Sequence, residues 1–345
     1  MTDLDWTRYS EPEPDLAPLL SQLPHLVFTL ENIPTLRQQS QEGLAIRQNA
    51  QKHLLPTEHE YTLKDYKIPV EGGEVTVRTI VPTAKDGEDT TFPLYVWYHG
   101  GGWIVGSIDG EDYKLRTLAV ELRISVANIE YRLCPEYPYP TGLKDAYAGL
   151  KWAVNNASLL SASLDKGFII GGVSAGANFA TVLSRWARDD EFFKGRPLTG
   201  QVLQIAGLIH SDAPYPEKYK HLFKSPEQNK DSPILDRAAA KGICEIVNAP
   251  PEDPNFSAIL APDLHGLPPA YFQVAGADLL RDVDMVYELM LRELGIRTKV
   301  DIYPGLPHGG ASVMMPGVRV YDQWHADYPE GIKWLLDGAP VKREA

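Results

Sequence analysis

Residues 167–190 read GFIIGGVSAGANFATVLSRWARDD. Phe168 to Val173 is a short, nearly all-apolar run of the kind that forms a strand buried on both faces, and from Ala175 onward apolar residues recur at helical spacing. Strand and helix therefore meet with no loop between them, and Gly172-Val173-Ser174-Ala175-Gly176 occupies the junction. In so tight a turn, side chains at the two glycine positions would collide with the neighbouring strand and helix. Ser174 is then presented at the carboxyl edge of a sheet, above a helix N-terminus whose dipole favours developing negative charge.

The same texture extends outward in both directions. PLYVWYH (93–99), SVANIEY (125–131), QVLQIAGLI (201–209), AYFQVAGA (270–277) and TKVDIYP (298–304) are further short apolar runs. Helical spacing fits 111–124, 141–157, 175–188, 283–294 and 325–336. Alternating strands and helices predict a mostly parallel, doubly wound α/β sheet. Upstream, YTLKDYKIPV and EVTVRTIVP flank Glu71-Gly72-Gly73, the pattern of an antiparallel hairpin. Residues 1–60 read as short amphipathic helices broken by Pro24, Pro34 and Pro56. Between the runs ending near Ile209 and starting near Tyr271 lies a long stretch rich in Pro, Lys, Asp and Tyr, and connections of that length are usually lids or inserted subdomains. The expected division is an N-terminal helical cap segment (1–60), a core in two parts (61–209 and 263–345) and an inserted cap (210–262).

A second motif, His99-Gly100-Gly101-Gly102-Trp103, follows the run PLYVWY directly. Consecutive glycines cost backbone entropy and give nothing to pack, which points to amides that must approach something closely. In acyl transfer that something is an oxyanion, and the amides of Gly101, Gly102 and Ala175 would supply three donors.

HGGGW, the stretch Tyr131-Arg132-Leu133-Cys134-Pro135-Glu136, the GVSAGAN junction and a downstream D-x-x-x-D together resemble the hormone-sensitive-lipase-like esterases, fungal members in particular. The likeness runs from about residue 60 to the C-terminus. It implies an α/β-hydrolase fold, with an eight-stranded sheet under a helical cap, and a serine carboxylic ester hydrolase working through an acyl-enzyme. The family pattern has an acid where Val173 stands and an alanine at Cys134. Of nine histidines, His308 lies in the loop past the last strand, where the family has its catalytic histidine, while His99 is read as a loop-shaping residue of the glycine motif. His210 and His325 are the next candidates. In the chain order serine, acid, histidine, Asp278 follows the preceding strand, and Asp282 competes with it, with helix capping as its alternative role.

Trp103, Tyr215, Tyr219, Phe223, Phe256, Met314 and Met315 supply side chains suited to an apolar substrate pocket. Lysine and arginine total 33 against 46 acids, a net charge of −13, which repels phosphate backbones and anionic lipid; neither nucleic acid nor membrane is an expected partner, and a small-molecule ester is. A homodimer is an open assembly state. No metal-ligand spacing is evident, and the reaction needs no cofactor. Two widely spaced cysteines, Cys134 and Cys244, read as reduced thiols, and with an acidic, Pro-rich start the default location is the cytoplasm. Two rivals share the fold: a ligand-binding protein like the plant gibberellin receptors, which lack the catalytic histidine, and an acyltransferase, thioesterase or lactonase with the same three residues.

Overall fold

The computed structural model describes residues 4–313 and 317–341. Its strands are β1 (Tyr61–Val70), β2 (Gly73–Pro82), β3 (Leu94–Tyr98), β4 (Ser125–Ile129), β5 (Phe168–Val173), β6 (Gly200–Gln204), β7 (Ala270–Ala275) and β8 (Thr298–Tyr303). They form one eight-stranded sheet in the order β1-β2-β4-β3-β5-β6-β7-β8. β2 is antiparallel to both of its neighbours, and every pairing from β4 to β8 is parallel. The all-apolar runs of the sequence are the inner strands β3 to β7, whose side chains are buried on both faces. The alternating β1 is half exposed at one edge.

The main helices are α1 (Ile33–Gln51), α2 (Asp112–Leu122), α3 (Thr141–Asn155), α4 (Ala175–Asp189), α5 (Arg237–Val247), α6 (Arg281–Glu293) and α7 (Arg319–Leu336). α3, α4 and α6 pack on one face of the sheet through Leu150, Leu183 and Val286. On the other face, α2 and α7 bring in Leu115, Leu118 and Ile332. Removing such side chains from water contributes about 1.5–3 kcal/mol each, enough to fix which faces turn inward.

Three expectations are corrected by the structure. Pro34 does not break a helix: it sits in the first turn of the 19-residue α1, where a missing N–H costs nothing. β6 stops at Gln204 because Ile205 takes φ 43°, so the apolar tail Ile205–Ile209 leaves the sheet. α7 begins at Arg319, ahead of the expected 325.

The N-terminal region and the long excursion after β6 meet above the carboxyl ends of the strands. Phe28 and Ile33 cluster with Leu235, Ile243 and Phe256 from the excursion and with Ile104 and Leu279 from the loops below. Nearer the N-terminus, the carbonyl of Tyr9 accepts the Gly305 amide at 2.8 Å. A Cβ at Gly276 would collide with that same carbonyl, and one at Gly305 with Pro12. The first segment is thus seated on the turns that follow β7 and β8.

Candidate active site

Ser174 has φ 54° and ψ −114°, a conformation that costs a non-glycine residue about 1–3 kcal/mol and persists only where its surroundings dictate it. They do so here. Gly172 abuts the first turn of α4, and Gly176 lies against the carbonyls of Tyr98 and His99 at the end of β3; a Cβ at either position would collide with main chain. The Ser174 amide donates to the Gln204 carbonyl at 2.8 Å, and the Ser174 carbonyl accepts the Gly207 amide at 3.3 Å.

The turns after β7 and β8 bring Asp278 and His308 to this serine. Ser174 Oγ is 2.8 Å from His308 Nε2, and His308 Nδ1 is 2.6 Å from Asp278 Oδ2. A carboxylate can only accept, so Nδ1 carries the proton and Nε2 offers its lone pair to the serine hydroxyl. The second oxygen of Asp278 accepts the Leu280 amide at 2.9 Å, which fixes the carboxylate's rotation. The arrangement can take a proton from Ser174 and return it to a leaving group on the same side.

Asp282 does not reach the histidine. It is held by Arg281 Nε at 2.7 Å and accepts the amides of Lys224 and Ser225 at 2.7 and 2.6 Å. It therefore caps a turn of the excursion rather than orienting an imidazole. His325 lies on α7 against Tyr321, where burial, helped by Lys114, pushes its pKa down to about 3. His99 stacks on Tyr131 with centroids 4.2 Å apart and bonds through Nδ1 to the Gly100 carbonyl, as a loop-shaping residue should.

Above Ser174 opens a cavity of about 1060 Å³, with Gly101, Gly102, Trp103 and His308 in its wall. Gly101 and Gly102 both have positive φ, 121° and 61°, and among the described residues neither amide donates to a main-chain acceptor. Ala175 follows Ser174 as the first residue of α4. Trp103 packs on Phe256 at 4.6 Å, and both line the cavity, as does Tyr215, stacked on Phe223 at 4.1 Å. Tyr219 is not a pocket residue: it packs into the main core and donates to Glu293 at 2.5 Å. Phe223 backs Tyr215 without lining the cavity. Met314 and Met315 lie outside the described residues. Val173 takes up space against Gly100 and lines the cavity floor. The Cys134 thiol, raised to about 11 by burial, contacts the Tyr137 carbonyl at 3.4 Å.

The sequence pointed to an N-terminal cap segment but not to the residues of α1 that line the cavity, among them Leu36, Leu44 and Arg47. The helix's polar composition hid this role. The helix is fastened by Arg37, whose guanidinium clamps Glu136 at 2.7 and 2.8 Å together with the carbonyls of Ile104 and Cys134. Among the described residues no cluster of three or more His, Cys, Asp or Glu could hold a metal ion, and no helix is long and apolar enough to cross a membrane.

A family profile described as alpha/beta hydrolase fold matches residues 95–312. The chain belongs to this family. Along its whole length it is 30% identical to an AB hydrolase superfamily protein of Schizosaccharomyces pombe, covering 99% of that protein. It is 35% identical to the versiconal hemiacetal acetate esterase of Dothistroma septosporum over 72% of this chain and 75% of that one. Among solved structures, vibralactone cyclase superposes with a TM-score of 0.91 at 37% identity, covering 97% of each chain. Bacterial carboxylesterases and esterases recur among further relatives. This hydrolase is a carboxylesterase-type enzyme, and its substrates are small-molecule esters.

Proposed function

We propose that Ser174 is the nucleophile, His308 the general base and then acid, and Asp278 the orienting acid of an ester hydrolase that works through an acyl-enzyme. The observation that carries this reading is the unbroken chain Ser174 Oγ to His308 Nε2 at 2.8 Å and His308 Nδ1 to Asp278 Oδ2 at 2.6 Å, at the floor of a cavity. Ser174 Oγ attacks the ester carbonyl as its proton passes to Nε2. The amides of Gly101, Gly102 and Ala175 receive the oxyanion, and the imidazolium gives its proton to the departing alkoxide. Water then repeats the sequence with His308 as base and frees the acid and Ser174. Residues 1–60 and 210–262 act together as the cap over this site. The cavity volume, about 1060 Å³, suits small to medium apolar esters. Two buried free thiols fit a reducing compartment such as the cytoplasm.

A serine-directed phosphonate should add one label per chain, on Ser174, and abolish hydrolysis of 4-nitrophenyl acetate. Labelling elsewhere, with Ser174→Ala still active, would remove the assignment. A histidine so aligned has no use in a pure receptor, so His308→Ala should nearly abolish turnover while apolar ligands still bind. The likeness to vibralactone cyclase supports a second reading, in which the acyl-enzyme is released to a hydroxyl of the substrate rather than to water. Product analysis with hydroxy-acyl esters and with added alcohols distinguishes lactone or transester from free acid.

A further inference from the structure

The cavity holds a polar fixture that the proposed chemistry does not use. His210, directly after the apolar tail that leaves β6, is 6% exposed and lines the cavity. Its ring meets the edge of Phe256 at 5.7 Å, and Phe256 continues to Trp103. Its main-chain amide donates to Ser257 Oγ at 3.0 Å, and its Nδ1 accepts the Asp212 amide at 3.0 Å. A main-chain N–H can only donate, so Nδ1 is unprotonated and the ring proton sits on Nε2. Burial, opposed by the charge of Asp212, lowers the imidazole's proton affinity, in the direction of the neutral ring that this bond requires. Among the described residues no acceptor meets the Nε2–H, nor is the nitrogen sealed inside protein. His210 is part of the cavity wall, so the cavity is the open space beside its ring.

We infer that His210 Nε2–H is a recognition donor for a carbonyl-type oxygen in the acyl part of the substrate. The preferred ester then has an apolar or aromatic body lying on Trp103 and Phe256 and a keto, ester or amide oxygen several bonds from the scissile carbonyl. This rests on the reading of Ser174 as nucleophile and His308 as proton donor to the leaving group. The departing alkoxide must lie beside His308 to receive that proton. Trp103, by contrast, follows the oxyanion glycines and covers Gly207, whose amide holds the Ser174 carbonyl. The wall Trp103–Phe256–His210 therefore flanks the other arm, the acyl chain. An aliphatic chain would leave the Nε2–H without a partner when it displaces water, and a carbonyl in the right place restores the bond.

The test compares 4-nitrophenyl heptanoate with its 4-, 5- and 6-oxo analogues, and heptyl acetate with oxoheptyl acetates. The enzyme is compared with His210→Asn, whose side-chain oxygen can still accept the Asp212 amide while the donor is withdrawn, and with His210→Phe, which fills the ring's space. We expect one oxo-acyl ester to be favoured over its parent by about fivefold to tenfold in kcat/KM, the ordinary worth of a neutral hydrogen bond. That ratio should fall to about one in both variants, and the oxo-alkyl acetates should show no such ratio. A ratio near one in the native enzyme, a ratio that survives His210→Asn, or a preference confined to the alcohol arm overturns the inference. Calorimetric affinities of the same esters for Ser174→Ala read the ratio without turnover. If Ser174→Ala remains active, the nucleophile reading fails, while the affinity ratio still decides the role of His210.

Discussion

Three carboxylates after β7, Asp278, Asp282 and Asp284, are each 1% exposed, and their surroundings give them three different tasks. Asp278 holds the His308 ring, so Asp278→Asn should cost about 10⁴-fold in kcat with little loss of stability, read by steady-state kinetics beside thermal melts. Asp282 is the charge partner of the fully buried Arg281. Removing one member of a buried pair strands the other, so Asp282→Asn should lose about 3–5 kcal/mol of stability by urea titration while the folded fraction keeps its kcat. Asp284 has one oxygen on the Ala206 amide at 3.1 Å and another with no partner among the described residues. Burial first, and then the charge of Asp278, push its carboxyl well above the usual range. The folded state therefore binds a proton that the unfolded state has released above a pH of about 4, and stability falls as pH rises from there toward the folded value. Asp284→Asn, which is neutral at every pH, should melt higher than the native protein at pH 7–8 and show a flatter stability profile across that interval. An unchanged profile would mean that Asp284 is ionised in the fold. The sequence made Asp278 and His308 legible through chain order and position after a strand. Those signals placed Asp278 ahead of its competitor Asp282, but they did not show what holds Asp282 back, which depends on Ser225 and Arg281.

At the scale of elements, β3 to β7 were readable because strands buried on both faces leave uninterrupted apolar runs, and α4 because Ser174 and its glycines mark its start. In residues 4–60 helices were expected, but their bounds and what they rest on were not readable. Their roles are set by what they rest on, and Pro34 looks the same in sequence whether it ends a helix or opens one. In the fold this region does two jobs. Residues 9–12 sit on Gly276 and Gly305, in the turns that carry Asp278 and His308. Arg281 ties the first job to the excursion, with Nη1 on Ser10 at 2.7 Å and Nη2 on Gln228 at 3.2 Å. α1 walls the cavity. The two jobs predict two separable losses. Deleting residues 1–12 should lower kcat about tenfold or more at nearly constant KM, because small displacements of reacting groups are costly. Deleting residues 1–40 should also raise KM and blunt discrimination between acetyl and longer acyl esters. Equal acyl-length profiles for the full chain and the longer deletion would show that α1 does not shape the site.

Across the whole molecule, stability is concentrated in the sheet and the helices on it rather than in the cavity wall that α1 supplies. The inner strands and the helices on them are buried almost throughout. α1, in contrast, buries only Ile33 and Gln51 along its length and leaves Ile46 71% exposed. Its hold on the body is local, chiefly the Arg37 clamp on Glu136 and two carbonyls. Few buried apolar contacts mean a low free energy of opening, so α1 should exchange its amide hydrogens through local openings while β3, β5, β6 and β7 exchange only through global unfolding. Because α1 also walls the cavity, a covalent phosphonate on Ser174 should slow exchange in α1 and in α5 and leave the central strands unchanged. Arg37→Met should speed α1 exchange and shorten the lifetime of the closed site without altering the strands. Hydrogen exchange followed by mass spectrometry reads all of this in one experiment. Protection of α1 equal to that of β5 in the free enzyme would make the wall rigid, and substrate would then have to enter past the excursion helix α5 instead.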